Sequence, residues 1–476
     1  MFCLCAICGS GAGRRSLATA AAGLVLALAA PAQEETSAVP PAGALRLEAA
    51  DRILVLAPHP DDESLCTGGV IQRALAQKLP VRVVWLTYGD NNQWSFALYR
   101  MHPVLMPAAV RAMGQIRCQE ALAAGRRLGL APEQMVTLGY PDFGAMDIWE
   151  RHWGGAPACE SMFTHVEAVP YANAYRPGAP YKGEEILRDL ETILRDFRPT
   201  KVFVSHPADR HNDHVALYLF TRVALWNLEG ELRPQLYPAL VHYRRWPAPR
   251  GDEPDRPLLP PAGFHPAIAW TPFELTPAEV QVKREAIRLH RTQFEYAGSY
   301  LFSFLRSNEL FGDLPEVRLG EVAPAPRELG GPAATGEGED EERLTDRERT
   351  LFVGLEWRAV RRDGDALAMT LHLSRPLAEA VSVSMYAFGY DPAVPFAQMP
   401  KLHLRLGALR ETVTDQETRL ADSGIEIRRD LNEIVARIPF AALHHPRKIL
   451  ISARSYLSEV PLDFSAWRIV DAGLRE

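Results

Sequence analysis

Residues 53–69 read ILVLAPHPDDESLCTGG, and this stretch decides the fold that the sequence predicts. Its first five residues have the composition of a strand buried on both faces, and its last residues begin a run with the apolar spacing of a helix. Between them stand a histidine and three consecutive acids: His59, Asp61, Asp62 and Glu63. Acids are stabilised near a helix N-terminus, so a plain helix start is one interpretation. The other is a metal site, in which a cation offsets the repulsion between the carboxylates.

Apolar runs of strand length recur along the first half of the chain, separated by stretches with helical spacing. The runs are ILVLA (53–57), VRVVWLT (81–87), MVTLG (135–139), KVFVS (201–205) and ALVHYRR (239–245). Strands that alternate with helices predict an α/β fold with a Rossmann-like, doubly wound and mostly parallel sheet. A long amphipathic helix is also predicted over 280–306. In such sheets ligands bind beyond the carboxyl ends of the strands, which is where the first acidic loop lies.

A second acidic, histidine-rich loop follows the predicted strand at 201–205. It reads HPADRHNDH over 206–214, so it lies at the same edge of the predicted sheet as the first loop. Histidine and aspartate together favour a borderline divalent cation such as zinc. Either loop alone is consistent with a helix cap or a solvated turn. Two such loops at one sheet edge favour a shared metal site.

The two loops resemble the motifs of a known family. PHPDDE over 58–63, followed by the pattern PxDxHxDH over 207–214, resembles the LmbE-like and PIG-L superfamily of de-N-acetylases. That superfamily includes N-acetylglucosaminyl-phosphatidylinositol deacetylases and bacterial thiol-sugar deacetylases. The resemblance extends over about residues 50–310 and leaves out the C-terminal region. It implies a Rossmann-like domain that hydrolyses a linear amide C–N bond.

The resemblance also implies a role for individual residues. The implied zinc ligands are His59, Asp62 and His214, and ferrous iron is an alternative for the same three. Asp61 would be the general base that completes deprotonation of the water and later protonates the departing amine. A protonated His211 would stabilise the oxyanion of the tetrahedral intermediate, with Asp213 holding its ring and favouring the charged form.

Other polar residues near these loops have less specific interpretations. Arg117 and Asp142 match positions that line the substrate pocket in the family, although Arg117 also fits a helix surface and Asp142 a turn. Asp90 stands in an Asn-rich loop that suits either sugar hydroxyls or a turn. Glu63 is expected to cap the helix or to orient His59 rather than to bind the metal itself.

The remaining histidines and cysteines show no ligand spacing. Outside the first 32 residues the cysteines are Cys66, Cys118 and Cys159, too widely spaced for a zinc ribbon. One disulfide with a free thiol and three free thiols are both compatible with the sequence. Three histidines without a partner pattern are expected to be ordinary surface or core residues: His102, His152 and His165.

The two ends of the chain differ from the predicted α/β region. Paired arginines, an apolar stretch and Ala30-Pro31-Ala32 predict a secretory signal peptide over 1–32, with an uncleaved membrane anchor as the alternative. The predicted order continues with a linker (33–50), the deacetylase domain (51–320), a second linker (321–349) and a C-terminal domain (350–476). Short alternating runs in the last segment predict an antiparallel β-sandwich that either binds carbohydrate or serves as a packing partner.

Composition limits the classes of partner. A net charge of −7 and a pI near 6.1 give no basic surface for nucleic acid. The sequence therefore predicts a periplasmic or secreted bacterial zinc hydrolase that removes the acetyl group from an N-acetylated sugar of the N-acetylglucosamine type, a glycoconjugate or a polysaccharide. After signal cleavage no membrane span is expected. A zinc amidohydrolase acting on a non-sugar amide and a catalytically silent carbohydrate-binding protein are the alternatives, and the presence of Asp61 favours catalysis.

Overall fold

The computed structural model describes residues 43–91, 106–262, 264, 268–319, 327–328 and 345–473 of the chain. The predicted signal peptide, most of both predicted linkers and His102 lie outside these residues. Val39–Glu476 belongs to one compact unit. Within the described ranges, no helix combines the length and the apolar character that crossing a membrane requires.

Five parallel strands form the sheet of the first half of the chain. They are β1 Ile53–Ala57, β2 Val81–Thr87, β3 Met135–Tyr140, β4 Lys201–Ser205 and β5 Gln235–Ala239. Their order is β3-β2-β1-β4-β5, and every neighbouring pair is parallel. The order reverses between β1 and β4, which is the switch point where doubly wound sheets bind ligands. The predicted α/β class is confirmed.

Helices cover both faces of this sheet. They are α1 Asp62–Ala76, α2 Pro107–Leu128, α3 Ala145–Arg151, α4 Gly183–Phe197, α5 Asn212–Asn227, α6 Pro277–Leu289 and α7 Arg291–Phe302. Ile53 and Val55 of β1 pack with α1, α2 and α6, whereas Leu54 and Leu56 pack with α3, α4 and α5. Because both faces are buried, the strands read as unbroken apolar runs.

Two elements differ from the sequence-based prediction. The fifth strand spans Gln235–Ala239, so the strand predicted over 239–245 was wrong. The observed strand contains Pro238, which is tolerated because β5 is at the edge of the sheet. The single helix predicted over 280–306 is also wrong, because a non-helical residue, His290, separates α6 from α7. As a result, His242 lies in a loop where a strand was expected, and His290 lies at a break where a continuous helix was expected.

The second half of the chain is built from short strands. An antiparallel pair, β6 Thr271–Glu274 and β7 Asn308–Phe311, precedes it. The strands that follow are β8 Val317–Arg318, β9 Arg327–Glu328, β10 Leu355–Arg362, β11 Ala366–Leu373, β12 Val381–Tyr390, β13 Lys401–Gly407, β14 Glu411–Asp415, β15 Thr418–Arg419, β16 Glu426–Asp430, β17 Glu433–Pro439, β18 Lys448–Leu457, β19 Val460–Phe464 and β20 Arg468–Asp471. A short helix, α8 Asp346–Thr350, precedes β10, and 3-10 helices span Pro132–Gln134, Phe396–Gln398 and Phe440–Leu443.

Strands β8 to β20 form two sheets around a common core. One has the order β16-β17-β11-β10-β9, and the other β15-β14-β13-β12-β18-β20-β8 with β19 paired to β18. Pairing is antiparallel except between β8 and β20. Leu367 and Leu371 from the first sheet and Val383 and Leu404 from the second belong to one buried cluster. The predicted antiparallel sandwich is confirmed.

The sandwich and the α/β region share a buried cluster of aromatic rings, which we call the aromatic interface. Its members are Trp149, Trp153 and Phe220 from the α/β region and Phe388, Phe396 and Trp467 from the sandwich. The ring centroids of Trp149 and Phe396 are 5.3 Å apart, and those of Trp153 and Phe396 are 5.0 Å apart. Arg454 of the sandwich also pairs with Glu150 of α3 at 2.9 Å. The helix α3 is therefore held by the sandwich.

Candidate metal centre

The loop after β1 places the ring of His59 between carboxylates. Its Nδ1 lies 3.3 Å from Oδ2 of Asp62. On the other side, Nε2 is hydrogen-bonded at 3.2 Å to Oδ2 of Asp213 and lies 3.1 Å from Oδ1 of Asp142, off the bonding direction. Although burial opposes the charged ring, Asp142 and Asp213 raise the pKa of His59 well above its usual value. Asp142 and Asp213 thus contact Nε2, and Nδ1 is the nitrogen that faces Asp62.

His214, in the first turn of α5, faces the same carboxylate from the opposite side. Its Nε2 lies 3.2 Å from Oδ2 of Asp62, and its Nδ1 lies 3.3 Å from Oδ2 of Asp209. The ring is fully buried, yet neither nitrogen makes a well-aligned hydrogen bond. Burial lowers the pKa of His214, but Asp209 and Asp62 outweigh it and raise the pKa to about 10. A buried ring between two acceptors is a site that a cation would satisfy.

Two of the three donor pairs have the spacing that a single metal ion requires. Two ligands held at about 2.0–2.1 Å on a tetrahedral zinc are separated by about 3.3 Å. Oδ2 of Asp62 lies 3.3 Å from the His59 nitrogen and 3.2 Å from the His214 nitrogen. Donor atoms of His59, His211 and His214 also lie within 4.8 Å of one another. Together with the two poorly bonded nitrogens of His214, this spacing fits a bound divalent metal.

Asp61 stands beside this donor set in an unusual backbone conformation. Its φ is 138°, in a region that non-glycine residues rarely adopt, at a cost on the order of 1–3 kcal/mol. Its backbone amide donates to Oε2 of Glu63 at 3.1 Å. Its carboxylate lies 3.6 Å from a guanidinium nitrogen of Arg117. Burial, followed by the charge of Asp62, raises the pKa of Asp61 to about 7.

Glu63 fixes this conformation from behind the loop. Its carboxylate accepts from the indole of Trp85 at 2.8 Å and from the hydroxyl of Ser64 at 2.7 Å. His290, at the break between α6 and α7, lies 3.2 Å from the same carboxylate. Glu63 therefore supports the start of α1, one of its two expected roles, and its carboxylate contacts Asp61, Ser64, Trp85 and His290.

Arg117 and Asp90 lie next to the centre. Arg117 donates to the carbonyls of Gly89 at 2.8 Å and Pro60 at 2.9 Å, so it ties the loops after β1 and β2 together. Gly89 has a φ of 63°, and a Cβ there would lie 2.3 Å from the Arg117 guanidinium. Asp90 accepts from the hydroxyl of Tyr171, and burial raises the pKa of Asp90 to about 7.

Asp142 and Asp213 support His59 from outside the donor set. Asp142 accepts from the amide of Asn91 at 2.9 Å. Asp213 accepts from the amides of Phe143 at 2.6 Å and Ala145 at 3.0 Å, at the start of α3. Metal-binding histidines typically donate their second ring N–H to such a carboxylate. The Asp213 carboxylate thus contacts His59 and two backbone amides, whereas the sequence led us to expect it on the ring of His211.

His211 also differs in charge from the expectation. Its Nδ1 accepts from the backbone amide of Asp213 at 3.3 Å, so Nδ1 carries no proton. Its ring centroid is 4.5 Å from that of His59. Burial, followed by the positive charge of His59 and His214, lowers the pKa of His211 well below its usual value. The ring is therefore neutral, with its proton on Nε2.

Three residues near the centre were missed by the sequence reasoning. The ring centroid of His242 lies 4.8 Å from that of His214. The ligand atoms of His242, Asp62 and His214 lie within 4.8 Å of one another, so these three residues could also hold a metal ion. Asp209 accepts from the amides of Val241 and His242, each at 2.9 Å. Its place in the second motif was a usable signal. His242 and His290 had no signal, because the first follows a misplaced strand and the second interrupts a predicted helix.

Comparisons with known proteins agree with this geometry. Residues 54–225 match the PIG-L family, described as GlcNAc-PI de-N-acetylase. The chain is 25% identical over 284 residues to a 1D-myo-inositol 2-acetamido-2-deoxy-alpha-D-glucopyranoside deacetylase of Saccharomonospora viridis, covering 57% of this chain and 94% of the relative. It is 26% identical over 312 residues to the enzyme of the same name from Streptomyces avermitilis, covering 60% and 95%.

Among solved structures, the chain is similar to an N,N'-diacetylchitobiose deacetylase from Pyrococcus horikoshii. The identity is 20%, the alignment covers 55% of this chain and 82% of that chain, and the TM-score is 0.35. The family match confirms the resemblance inferred from the two acidic loops: residues 54–225, which contain both loops, match the model of the PIG-L family.

Proposed function

We propose that this protein is a metal-dependent de-N-acetylase that removes the acetyl group from an N-acetylated sugar. The observation that carries the proposal is the convergence of His59, Asp62 and His214 at the switch point of the sheet, with Asp61 beside them. The names of the curated relatives, which are deacetylases of a 2-acetamido-2-deoxy-glucopyranoside, support the substrate class.

Three atoms would hold the metal: Nδ1 of His59, Oδ2 of Asp62 and Nε2 of His214. Nitrogen and carboxylate donors suit zinc, and ferrous iron is the alternative. When bound, such an ion supplies Lewis acidity that lowers the pKa of water toward 7 and polarises the amide carbonyl.

Asp61 would move the proton. It is not one of the three ligands, yet it is the adjacent residue, and the Glu63 network holds its backbone in place. Its carboxylate takes the proton of the attacking water and later gives it to the nitrogen of the departing amine.

His211 and Phe143 would act on the substrate. The neutral His211 ring keeps its proton on Nε2 and donates it as a hydrogen bond to the oxygen of the tetrahedral intermediate. Phe143 is 54% exposed and its ring lies 4.4 Å from that of His211, so it offers an aromatic face to a bound sugar.

The test is a screen for acetate release from N-acetylated mono- and oligosaccharides by the zinc-loaded protein. We expect release that chelation abolishes. Asp61→Asn should lose about 10²–10⁴-fold of the activity, the usual contribution of a general acid–base group, while its zinc content is unchanged. Failure of every N-acetylated sugar would contradict the proposal, and release from non-sugar amides alone would favour the amidohydrolase alternative.

We also propose that the protein is exported, which rests on the pattern of residues 1–32 alone. Amino-terminal sequencing of the protein from a periplasmic or secreted fraction should start at Gln33. An intact amino terminus in the cytoplasmic fraction would contradict export. Of the two roles considered for the sandwich, the aromatic interface supports the role of a packing partner.

A further inference from the structure

We infer that Asp147, His152 and Cys159 form a second metal site, for a divalent ion of the zinc type. Asp147 lies in the first turn of α3, and His152 and Cys159 lie in the loop that follows this helix. None of them belongs to the centre at the switch point, and the inference does not depend on the proposed deacetylation. It rests on donor geometry, on the direction of one imidazole and on the access that the surroundings leave to the cluster.

The donor spacing is that of a tetrahedral zinc site. Oδ2 of Asp147 lies 3.2 Å from Nε2 of His152 and 3.6 Å from Sγ of Cys159. Zinc bond lengths of about 2.0–2.1 Å to oxygen or nitrogen and about 2.3 Å to sulfur give edges of about 3.3 Å and about 3.5 Å. All three donor atoms lie within 4.8 Å of one another. Thiolate, imidazole and carboxylate together favour zinc over calcium or magnesium.

The ring of His152 is held in the orientation that a metal ligand needs. Its Nδ1 lies 2.8 Å from the carbonyl oxygen of Pro157. A carbonyl only accepts, so Nδ1 carries the proton of that hydrogen bond and Nε2 is the nitrogen directed at Asp147. A backbone carbonyl on the second nitrogen is the usual support of a metal-binding histidine.

One carboxylate oxygen already lies against both of the other donors. Oδ2 of Asp147 accepts from the thiol of Cys159 and faces Nε2 of His152. A divalent ion would displace the thiol proton, because cysteine binds metal as the thiolate. All three donor atoms would then share the same partner.

The surroundings leave one side of the cluster open. Cys159 is only 3% exposed, whereas the side chain of Asp147 is 32% exposed, so an ion and a water ligand have access. Arg151 holds the other oxygen of Asp147 and thereby directs Oδ2 inward. The guanidinium of Arg151 in turn lies 3.6 Å from Glu417, which offsets its charge near the ion.

The test uses the full chain, stripped of metal and reloaded with cobalt. The donors proposed at the switch point, His59, Asp62 and His214, include no sulfur, so an ultraviolet thiolate-to-cobalt charge-transfer band reports a cysteine ligand, and its loss in a single cysteine variant identifies which one. We expect the band in the parent protein and its loss in Cys159→Ser and His152→Ala, each with one equivalent of metal fewer. Cys118→Ser is the matched control, because Cys118 is a buried free cysteine outside the cluster, and it should keep the band.

Two results would overturn the inference: no band in the parent protein, or a band that persists in Cys159→Ser. Should that variant fail to fold, X-ray absorption of the zinc-loaded parent protein gives the same decision, because a sulfur neighbour is expected and its absence contradicts the site. His59→Ala separates the two proposals. It should abolish acetate release yet keep the band, so either proposal can fail without the other.

Discussion

The centre at the switch point takes its donors from two distant loops, whereas the cluster of Asp147, His152 and Cys159 takes them from a single short segment. His59 and Asp213 are 154 positions apart and meet because β1 and β4 are neighbours in the sheet. The short segment needs only α3 and the loop after it. His214 is fully buried, whereas the Asp147 side chain is 32% exposed. A sheet edge thus fixes a long-range site, and a short helix with its following loop provides a local one.

The largest effect should come from removing a ligand at the switch point. His59→Ala should lower kcat/KM for acetate release by at least about 10³-fold, because the several kcal/mol of transition-state stabilisation from the metal is lost. His152→Ala, measured beside it, should leave kcat/KM unchanged. Similar losses in the two variants would mean that the clusters are not separate.

The second prediction concerns α3, which carries Asp147 and whose first amide, that of Ala145, donates to Asp213. Trp149→Ala should reduce the free energy of unfolding by about 3–5 kcal/mol, since it removes a fully buried ring from the aromatic interface. Denaturant titration measures this loss. Leu409→Ala is the control, because Leu409 is 87% exposed and its truncation should have no effect. A stability equal to that of the parent chain would show that the sandwich does not hold α3.

The third prediction tests the carboxylates that contact the second ring nitrogen of the proposed histidine ligands. The switch-point centre has three of them, Asp142, Asp209 and Asp213. Asp209→Asn should weaken zinc affinity by roughly 10–100-fold, because Asp209 orients Nδ1 of His214. Competition with a chelator of known affinity gives the value. Asp189→Asn removes the charge of an equally buried carboxylate that accepts from the hydroxyl of Tyr140 and belongs to none of the donor groups, and this variant should bind zinc like the parent. Equal affinities in both variants would rule out this role for Asp209.

The smallest effect should come from the exposed ring at the mouth of the centre. Phe143→Ala should raise KM by roughly two- to tenfold, which corresponds to about 0.5–1.5 kcal/mol of aromatic contact. The melting temperature should hardly change, because the side chain is 54% exposed. Phe143→Tyr keeps the ring and should keep KM. A fall in kcat with KM unchanged would contradict a role in sugar binding.

The switch-point centre was predictable from the sequence because its signals are regular. Apolar runs of strand length located β1 and β4, and parallel strands bring their carboxyl ends to one edge, so two acidic loops had to be neighbours. The state of His211 was not predictable. It depends on the hydrogen bond from the backbone amide of Asp213 to Nδ1, and a motif specifies which residues are present but not which of their atoms meet.

The cluster of Asp147, His152 and Cys159 has no comparable pattern in the sequence. The ring of His152 is aimed by the carbonyl of Pro157, and Cys159 meets Asp147 only because the chain folds back after α3. Spacing alone therefore suggested an ordinary histidine and a cysteine without a ligand pattern. The edge strand β5 was misplaced for a related reason, since Pro238 is compatible with a strand only where one side needs no hydrogen-bond partner.

The aromatic interface has a practical consequence for anyone who wishes to cut this chain into parts. Truncation at residue 320, where composition alone suggests a boundary, would strip away Phe388, Phe396 and Trp467 and leave Trp149 and its neighbouring rings in contact with water. It would also separate β8 from its partner β20. An apolar patch of this kind promotes aggregation. Expression of a chain that ends at residue 320 should therefore give insoluble protein. The unit to produce is the one that retains the sandwich.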